Sequence, residues 1–556
     1  MALRINFNYE SAATHTALKA NERLMNQSLL RLSTGLRILS AQDDAAGLFI
    51  ADQLSVVGAG LYQGNQNIQT GLSALRIAEN SAGQIFSKLQ AIYTRAESAA
   101  NDINDPNARS SLQQEITNFI DAIKKIATDT EYNGIKLLDG TFKNKYIHYG
   151  ARKDQVVTVT ISDLRAESLG AYTLSGSGAV TSNTGALSST NFTGTNFTVD
   201  SGDSFSVAGQ TVLSNTSSTA YLVDAAYIAH QINTNSTLQN AGIEATATNS
   251  STGDTYTGLV TSSVATSGSG TYSDSITVDL KFFVGDQNDL RSVSSPTFSL
   301  TGLSPNITLA DLVNQINSQA AAVGAPITAS ADNGHLVLKT SHGETIAVQA
   351  EVNWSLSASS ATGTYSATLN YTVNLDQIIG SASSFSGTGT VSTTATSSTS
   401  GTATYSAIKV GALSIAGVET FQVNFNGVSD TTASAAEGLN LDVSSTAASA
   451  TFSNLYTIDV STNEGAEEAL LIVKKAIQQV DKARSQIGAV MNNLQSIYDA
   501  QKTAYDNTKE AENVIRNVDY AEEMSRFTTF QIRMQSGIAM LAQANQLPQL
   551  VLQLLR

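Results

Sequence analysis

The sequence contains no cysteine in its 556 residues. Disulfide bonds and thiolate chemistry are therefore excluded, as are zinc sites that require cysteine ligands. A chain of this length exceeds one ordinary domain, so we expect three or four domains that are held together by packing alone.

Charge, and positive charge in particular, is also scarce. Charged residues make up 14% of the chain, and the formal net charge is −16. Proteins that bind nucleic acid gain affinity from a basic face, so this balance disfavours nucleic acid as a partner. No run approaches the ~18 apolar residues of a membrane span, and residues 1–30 lack the apolar segment of a signal peptide. We therefore expect no membrane span, and either a cytoplasmic protein or one that is exported without cleavage.

Residues that commonly carry catalysis form no recognisable group. The histidines do not form the HExxH pattern of zinc proteases, and neither a glycine-rich phosphate loop nor a nucleophile elbow stands out. The adjacent Asp43 and Asp44 lack a third ligand at metal-binding spacing, which favours a helix-entry turn or a contact between subunits over a metal site. We predict that the chain is not an enzyme and holds neither metal nor cofactor.

An apolar seam runs along the N-terminal part of the chain. Residues 15–40 are predicted to be helical, and their apolar side chains recur in alternating steps of four and three, as in a coiled coil. The members of this seam are Met25, Leu29, Leu32, Leu36 and Leu39. An ordinary amphipathic helix would show the same spacing, but the pattern recurs in residues 61–93 and 112–126, which favours a coiled coil.

A second helical region begins after Val460. The same spacing continues there over many turns, and a last segment adds Met534, Ile538 and Leu541. Glycines within the N-terminal helical region lower the stability of an isolated helix, so a helix there needs other helices to pack against. Because both ends carry unfilled seams, we expect the N- and C-terminal helices to pack on each other.

The middle of the chain has a different composition. From 176 to 455 it is rich in serine, threonine, glycine and alanine with short β-branched runs, which predicts β-rich domains. The tripeptide Gln-Ile-Asn occurs in two similar settings there, so we expect two small modules near 204–250 and 298–350. Alternating residues over 146–161 predict a β-hairpin that packs on the helices.

Together these patterns predict the fold class. We expect an α+β multidomain protein in which long helices from the two ends pack into a coiled-coil stalk. A β-rich insert then occupies the centre of the chain.

Ordered motifs occupy both ends of the chain. Arg31–Ser55 contains Arg-Leu-Ser-Thr-Gly-Leu-Arg-Ile followed by Asp-Asp-Ala-Ala-Gly-Leu, and residues 130–140 include Tyr-Asn-Gly and Leu-Leu-Asp-Gly. Residues 521–528 and 539–546 form two further blocks near the C-terminal end. These segments resemble the bacterial flagellins, and matches at opposite ends make the resemblance specific.

The resemblance implies a secreted, extracellular subunit that assembles with copies of itself into the bacterial flagellar filament used for motility. It implies an inner helical core from residues 1–45 with 516–556, a second helical domain with a β-hairpin from 46–175 with 456–515, and solvent-facing outer domains from 176–455. The implied partners are the flagellar export apparatus, an export chaperone that binds the C-terminal segment, and hook-associated junction and cap proteins.

We expect the assembly contacts to lie on the two terminal seams. The residues expected to pair terminal helices are Leu29, Leu32, Leu36, Met534, Ile538 and Leu541. Arg31, Asp43 and Asp44 are expected to make polar contacts between subunits. We also expect Ser40–Leu48 to form a hinge between the inner and outer helical layers.

Two other functions remain open at this point. A hook–filament junction protein would have similar ends, and an adhesin or carbohydrate-binding module would place its ligand site in residues 176–455. The Asn-x-Ser/Thr sequons of the insert are candidates for glycosylation. They are Asn191, Asn196, Asn215, Asn235, Asn249, Asn306, Asn353 and Asn370.

Removing either end of the chain should abolish assembly. A chain without residues 1–40 or without residues 520–556 loses one side of the paired terminal helices, so we expect no filaments while the insert stays folded. Electron microscopy of the purified protein measures the first outcome, and circular dichroism measures the second. Normal filaments from either shortened chain would contradict the expected role of the ends.

Overall fold

The computed structural model describes residues 8–101, 105–188, 197–426, 436–441 and 447–554. Its α-helices are α1 (Tyr9–Thr34), α2 (Ala45–Ala99), α3 (Pro106–Asp129), α4 (Ala225–Thr234), α5 (Ser236–Asn240), α6 (Leu309–Val323), α7 (Ala436–Leu439), α8 (Asn463–Arg516) and α9 (Tyr520–Leu554). Single turns of 3₁₀-helix span Leu375–Gln377 and Leu455–Thr457.

The strands follow α3 in chain order. The first are β1 (Glu131–Tyr132), β2 (Ile135–Lys136), β3 (Lys145–His148) and β4 (Val156–Val159). Those before α6 are β5 (Gly170–Gly176), β6 (Val180–Thr184), β7 (Thr198–Val199), β8 (Ser204–Val207), β9 (Gln210–Ser214), β10 (Tyr221–Leu222), β11 (Glu244–Thr248), β12 (Ser250–Thr255), β13 (Val260–Ser267), β14 (Gly270–Val284) and β15 (Phe298–Leu303). Those after α6 are β16 (Ile327–Asp332), β17 (His335–Thr340), β18 (Ile346–Ser360), β19 (Tyr365–Val373), β20 (Phe385–Thr393), β21 (Thr396–Lys409), β22 (Ala412–Gly417), β23 (Gln422–Asn426), β24 (Ala447–Ser449) and β25 (Thr451–Asn454).

The chain divides into two compact units. One comprises residues 1–80, 130–162 and 484–556, and the other comprises residues 81–129 and 163–483. Within the first unit α1 packs on α9, and the second unit holds the β-rich centre of the chain. The predicted fold class, an α+β protein with packed terminal helices and a β-rich central region, is therefore confirmed.

The first helix ends earlier than its apolar seam predicts. The prediction of a helix over 15–40 is wrong at its C-terminal end, because α1 stops at Thr34. Gly35 follows in the left-handed conformation, with φ of 72°, and donates its backbone N–H to a carbonyl of the last helical turn. Residues 35–44 then form a non-helical link to α2. The apolar spacing continues through this link, so spacing alone does not reveal where the glycine ends the helix.

A β-hairpin packs closely on α2. The strands β3 and β4 pair antiparallel, which confirms the hairpin predicted over 146–161. Gly60, Gly64 and Gly71 of α2 lie beneath it, and a Cβ added at Gly64 would overlap the carbonyl oxygen of Tyr149. These glycines therefore allow the hairpin backbone to approach the helix backbone directly.

The second unit contains a β-sandwich. One layer is the antiparallel five-stranded sheet β15-β14-β18-β21-β6, and the other is the three-stranded sheet β13-β19-β20, with β20 packed against β18 and β21. Along β19 the buried residues are Tyr365, Ala367, Leu369, Tyr371 and Val373. The residues between them are serine, threonine and asparagine, because alternate side chains of a strand point to opposite faces. A core thus forms in a region that has few long apolar runs.

The two Gln-Ile-Asn tripeptides occupy equivalent positions. Asn233 of α4 donates from Nδ2 to the Ala245 carbonyl over 2.7 Å and accepts the Ala245 N–H at Oδ1 over 2.9 Å. Asn317 of α6 makes the same two bonds with Ala329, over 2.8 Å and 2.7 Å. The isoleucine before each asparagine is fully buried. Each asparagine thereby joins its helix to the next strand, β11 or β16.

One helix has the length and apolar composition of a membrane span. An 18-residue window of α2 meets this criterion, and 17% of that window is buried. The expectation that no segment approaches such a composition is therefore wrong for α2. Core helices of soluble proteins meet the same criterion, so composition alone does not place α2 in a membrane.

Gly64→Ala should loosen the hairpin from α2. The added Cβ overlaps a backbone carbonyl that cannot move without shifting the hairpin, so we expect unfolding free energy to fall by about 1–3 kcal/mol. Gly83→Ala in the same helix is the matched control, because nothing lies within 4 Å of its added Cβ. That control should stabilise the helix by up to ~1 kcal/mol. Urea denaturation measures both variants, and equal effects would contradict the described packing.

Candidate assembly site in the terminal helices

The first and last helices of the described chain run antiparallel against each other. Asn8, which precedes α1, donates its side-chain N–H to the Ala544 carbonyl over 2.9 Å. Asn21 donates to the Phe530 carbonyl over 2.7 Å. Residue numbers along α9 fall as those along α1 rise, so the two ends of the chain meet side by side.

Small and polar side chains make the close contacts between these helices. The Ser28 hydroxyl donates to the Glu523 carboxylate, and the two residues are 1% and 4% exposed. Gly537 faces Leu18, whose Cδ1 lies 2.8 Å from the position that an added Cβ would take. The absence of a side chain at Gly537 therefore permits the helices to approach closely.

The predicted seam residues are only partly covered by this pairing. Leu29 is 52% exposed and Ile538 is 54% exposed. Leu32, Met534 and Leu541 are half-buried. The chain alone thus leaves much of the seam in solvent, and its role in contacts between subunits stays a prediction.

Other large apolar side chains of the same unit are also exposed. They are Leu24 and Leu30 of α1, Phe49, Ile50 and Val56 of α2, Val514 of α8, and Met524, Ile532 and Met540 of α9. Isolated exposed apolar residues are ordinary on protein surfaces, whereas a series along several helices is typical of a surface that another molecule covers.

Asp43 organises the link between α1 and α2. Its Oδ1 accepts a 2.8 Å bond from Gln27, and its Oδ2 accepts bonds from the backbone N–H groups of Leu39 and Ser40. The Arg31 guanidinium lies 3.7 Å from Oδ1. Burial opposes ionisation, but these hydrogen bonds and the Arg31 charge outweigh it and lower the pKa of the Asp43 carboxyl. Arg31 and Asp43 therefore pair within one chain, and their contacts with other subunits stay a prediction.

Asp44 has a different environment from its neighbour. It is exposed, and its Oδ1 accepts the backbone N–H of Gly47 over 2.9 Å, which satisfies a free donor in the first turn of α2. The two adjacent carboxylates thus serve separate hydrogen-bond networks. Within the ranges that the structure describes, no group of three or more His, Asp or Glu residues could hold a metal ion.

A second helix break faces the link. Residues 517–519 separate α8 from α9, and the backbone of Asn517 forms a β-bridge with Leu36. The Val518 N–H donates to the Gly35 carbonyl over 3.0 Å. Both polypeptide segments therefore leave the helical conformation at the same level, and backbone hydrogen bonds join the two breaks.

Sequence reasoning missed the buried Ser28–Glu523 pair and the break before α9. No apolar pattern marks the pair, because its members are polar. The break does carry a signal, since Asp519 precedes α9 and its Oδ1 accepts the backbone N–H groups of Ala521 and Glu522 over 2.9 Å and 3.2 Å. An aspartate just before a helical segment commonly marks its start.

The sequons differ in accessibility. Asn191 and Asn196 lie outside the described residues. Asn215 and Asn249 are each 3% exposed, and each Nδ2 donates to two backbone carbonyls. The structure argues against glycosylation of the folded chain at these two asparagines, because the nitrogen that would carry the glycan is buried and bonded. The others stay predictions, with Asn306 exposed and Asn235, Asn353 and Asn370 half-buried.

Asp43→Asn should loosen the link between α1 and α2. The variant loses the negative charge that Arg31 and the backbone N–H groups stabilise. We therefore expect the free energy that stabilises the folded link to fall by ~1–2 kcal/mol. Because the pKa of Asp43 is lowered, this contribution is present above the ordinary carboxyl range and is lost as the pH falls through the lowered value.

The temperature at which filaments depolymerise measures this effect at neutral pH. Asp44→Asn is the matched control, because asparagine caps a helix as well as aspartate does. An equal fall in that temperature for both variants would contradict the distinct role of Asp43.

Comparison with known proteins identifies the family. A model of the bacterial flagellin N-terminal helical region matches residues 5–143, and a model of the C-terminal helical region matches residues 470–555. A flagellin of Aquifex pyrophilus is 50% identical, and the match covers 100% of both chains. A flagellin of Aquifex aeolicus is 47% identical, and the B-type flagellin of Pseudomonas aeruginosa is 30% identical, again over 100% of both chains.

Solved structures add only distant similarity. FliC from Burkholderia pseudomallei is 16% identical, covers 76% of this chain and 99% of its own, and has a TM-score of 0.28. The flagellar hook associated protein-3 from Legionella pneumophila is 12% identical, covers 81% and 94%, and also has a TM-score of 0.28. TM-scores this low do not support a family assignment, which therefore depends on the sequence matches over the full length. The chain belongs to the bacterial flagellins, the secreted extracellular proteins that form the flagellar filament.

Proposed function

We propose that each subunit joins the filament by covering apolar faces that the terminal helices of its neighbours leave exposed. The observation that carries this proposal is the exposure of Leu29 on α1 and Ile538 on α9 within a single chain. Burying one such side chain contributes about 1.5–3 kcal/mol. This gain in free energy recurs in every subunit. Polymerisation would therefore bury the apolar side chains that a single chain leaves exposed.

The same exposure supports ordering of the ends on assembly. Ser28 is the buried residue of the 26-residue helix α1. Fixing a residue's backbone costs about 1–2 kcal/mol, and so little burial does not offset that cost along a whole helix. We propose that contacts with neighbouring subunits are the main stabilisation of α1 and α9.

The facing helix breaks support a layered arrangement. We propose an inner helical core from 1–45 with 516–556, a second helical domain from 46–175 with 456–515, and outer domains from 176–455. The breaks at residues 35–44 and 517–519 lie close to the first of these boundaries. A change of chain direction at that level would suit a transition between two helical layers.

Partners for export and for the filament ends belong to the same proposal. We propose that the flagellar export apparatus transports the chain unfolded, with a chaperone on its C-terminal segment, and that junction and cap proteins contact the assembled filament. The lack of cysteine supports unfolded transport, because no disulfide has to be broken. The proposed role is structural, with no catalytic step.

The hook–filament junction alternative has less support. The full-length relatives at 50% and 47% identity both carry the name flagellin. No specific observation within the described residues favours an adhesin or a carbohydrate-binding site in the insert.

Leu29→Asp and Ile538→Asp should each raise the critical concentration for polymerisation by more than about tenfold. The substitution removes the burial of a large apolar side chain and places a carboxylate in the contact, and each 1.4 kcal/mol is about tenfold in an equilibrium constant. Sedimentation of polymer over a concentration series measures this value.

Asn306→Asp adds the same charge to an exposed position of the insert and is the matched control. We expect it to polymerise like the unmodified chain. Normal critical concentrations for both terminal variants would be incompatible with the proposal.

A further inference from the structure

Asp224 is a buried carboxylic acid in the insert. It lies at the N-terminal end of α4 and is 0% exposed. Buried carboxylates in proteins are normally paired with a cation. No salt bridge of Asp224 is present in the described part of the chain, so its burial needs another explanation.

The carboxyl joins α4 to the start of β18. Asp224 Oδ1 accepts the Ala226 N–H over 3.1 Å, which caps α4, and it also accepts the Thr345 N–H over 3.1 Å. The Thr345 hydroxyl donates to the Val223 carbonyl over 2.6 Å. We call these three residues, Val223, Asp224 and Thr345, the clasp. Their bonds connect a helix of the first module with a central strand of the sandwich.

The second carboxyl oxygen has no partner. Asp224 Oδ2 is buried and makes no hydrogen bond. It lies against Gly285, where an added Cβ would overlap the carboxyl group, and the Gly285 N–H donates to the Thr345 carbonyl over 2.9 Å. The clasp is therefore enclosed by α4, the residue after β14 and the residue before β18, and an unbonded oxygen there suits a neutral acid better than an anion.

The charged groups around the clasp do not compensate the negative charge that an ionised Asp224 would carry. Glu344 has a side chain that is 1% exposed and accepts bonds from the backbone N–H and Nδ1 of His342, over 2.8 Å and 3.0 Å. Asp286 follows Gly285 and has the same sign of charge as an ionised Asp224. Lys409 directs its Nζ to the Gly178 carbonyl over 3.2 Å.

Further ionisable groups lie on α4 and in the loop after β14. Tyr227 lies on α4, and burial together with the charge of Asp289 raises its pKa, so its hydroxyl stays neutral. Asp289 itself adds negative charge in the loop after β14. The Arg291 guanidinium of the same loop donates from Nε to the Val284 carbonyl over 3.4 Å, and the His342 ring pairs with Glu344. These two groups thus direct their nitrogens to other acceptors, whereas the charges of Glu344 and Asp286 disfavour ionisation of Asp224.

We propose that Asp224 is a proton-operated switch of the insert, in which the protonated carboxyl closes the clasp and loss of the proton opens the junction of α4 with β18.

The titration of Asp224 sets the pH range of this switch. Burial raises the pKa of the carboxyl to about 7; the bonds from Thr345 and Ala226 oppose the rise, and the charges of Glu344 and Asp286 add to it. An aspartate in an unfolded segment titrates near ~4. A group whose pKa is raised by folding stabilises the closed state at low pH, and this stabilisation is lost between about pH 4 and pH 7. The opening equilibrium should therefore increase by up to about tenfold per pH unit in that window and level off above it.

Hydrogen–deuterium exchange of the full-length protein tests the proposal. Peptides that cover residues 224–232 and 340–350 should show opening constants that rise from pH 4 to pH 7, after correction for intrinsic exchange with an unstructured peptide. Asp224→Asn keeps the shape of the side chain and one acceptor oxygen but cannot ionise, so its opening should not change with pH. Fluorescence of Trp354, the single tryptophan of the chain, verifies that the insert stays folded.

Two further variants complete the test. Asp311→Asn makes the same change near the start of α6, where the side chain is exposed, and should keep the pH dependence of the unmodified chain. Asp286→Asn removes one neighbouring negative charge from an exposed position, and that charge raises the pKa of Asp224, so the transition should move to lower pH. It keeps the test decisive if Asp224→Asn does not fold. Opening that is independent of pH in the unmodified chain, or an unchanged pH dependence in Asp224→Asn, would overturn the proposal.

Discussion

The contact between α1 and α9 is made by small and polar side chains, and much of the assembly chemistry depends on it. Gly537 and the buried Ser28–Glu523 pair allow the two backbones to come close, but they bury little apolar surface. The larger side chains, such as Leu29 and Ile538, consequently remain in solvent. Apolar burial is the dominant favourable contribution to folding, so we propose that helices built in this way gain stability from neighbouring subunits. Such dependence suits a subunit that must be stable in a filament more than on its own.

The link between α1 and α2 shows a second constraint. A helix break leaves backbone groups without intrahelical partners, and these groups need substitutes. Gly35 bonds back to the end of α1, Asp43 accepts two backbone N–H groups of the link, and Asp519 accepts two at the start of α9. Because the break in α8–α9 lies opposite the break in α1–α2, the carbonyl of Gly35 can be satisfied by the other segment. One break alone would leave such groups unpaired.

The insert is stabilised in another way. Alternation along its strands places apolar side chains in the sandwich and hydroxyl groups in solvent, which needs neither long apolar runs nor many charges. Its two modules share the asparagine that fixes helix to strand, yet they cap their helices differently, with Thr308 before α6 and Asp224 before α4. A threonine cap does not titrate. The sensitivity to pH that we infer is therefore confined to the first module.

The sequence by itself determined the helical ends, the β-hairpin over 146–161 and the β-rich centre, because each follows from a local period of apolar residues. Local periods do not specify partners. The structure decided that the glycines of α2 receive a hairpin, that Arg31 pairs with Asp43 in the same chain, and that Asn215 is buried. A seam that repeats every seven residues is compatible with any apolar partner, so Leu29 could be assigned to assembly from sequence but not to a specific contact. Ser28 and Glu523 were invisible to such reasoning, because only their placement between two helices turns ordinary polar residues into a buried pair.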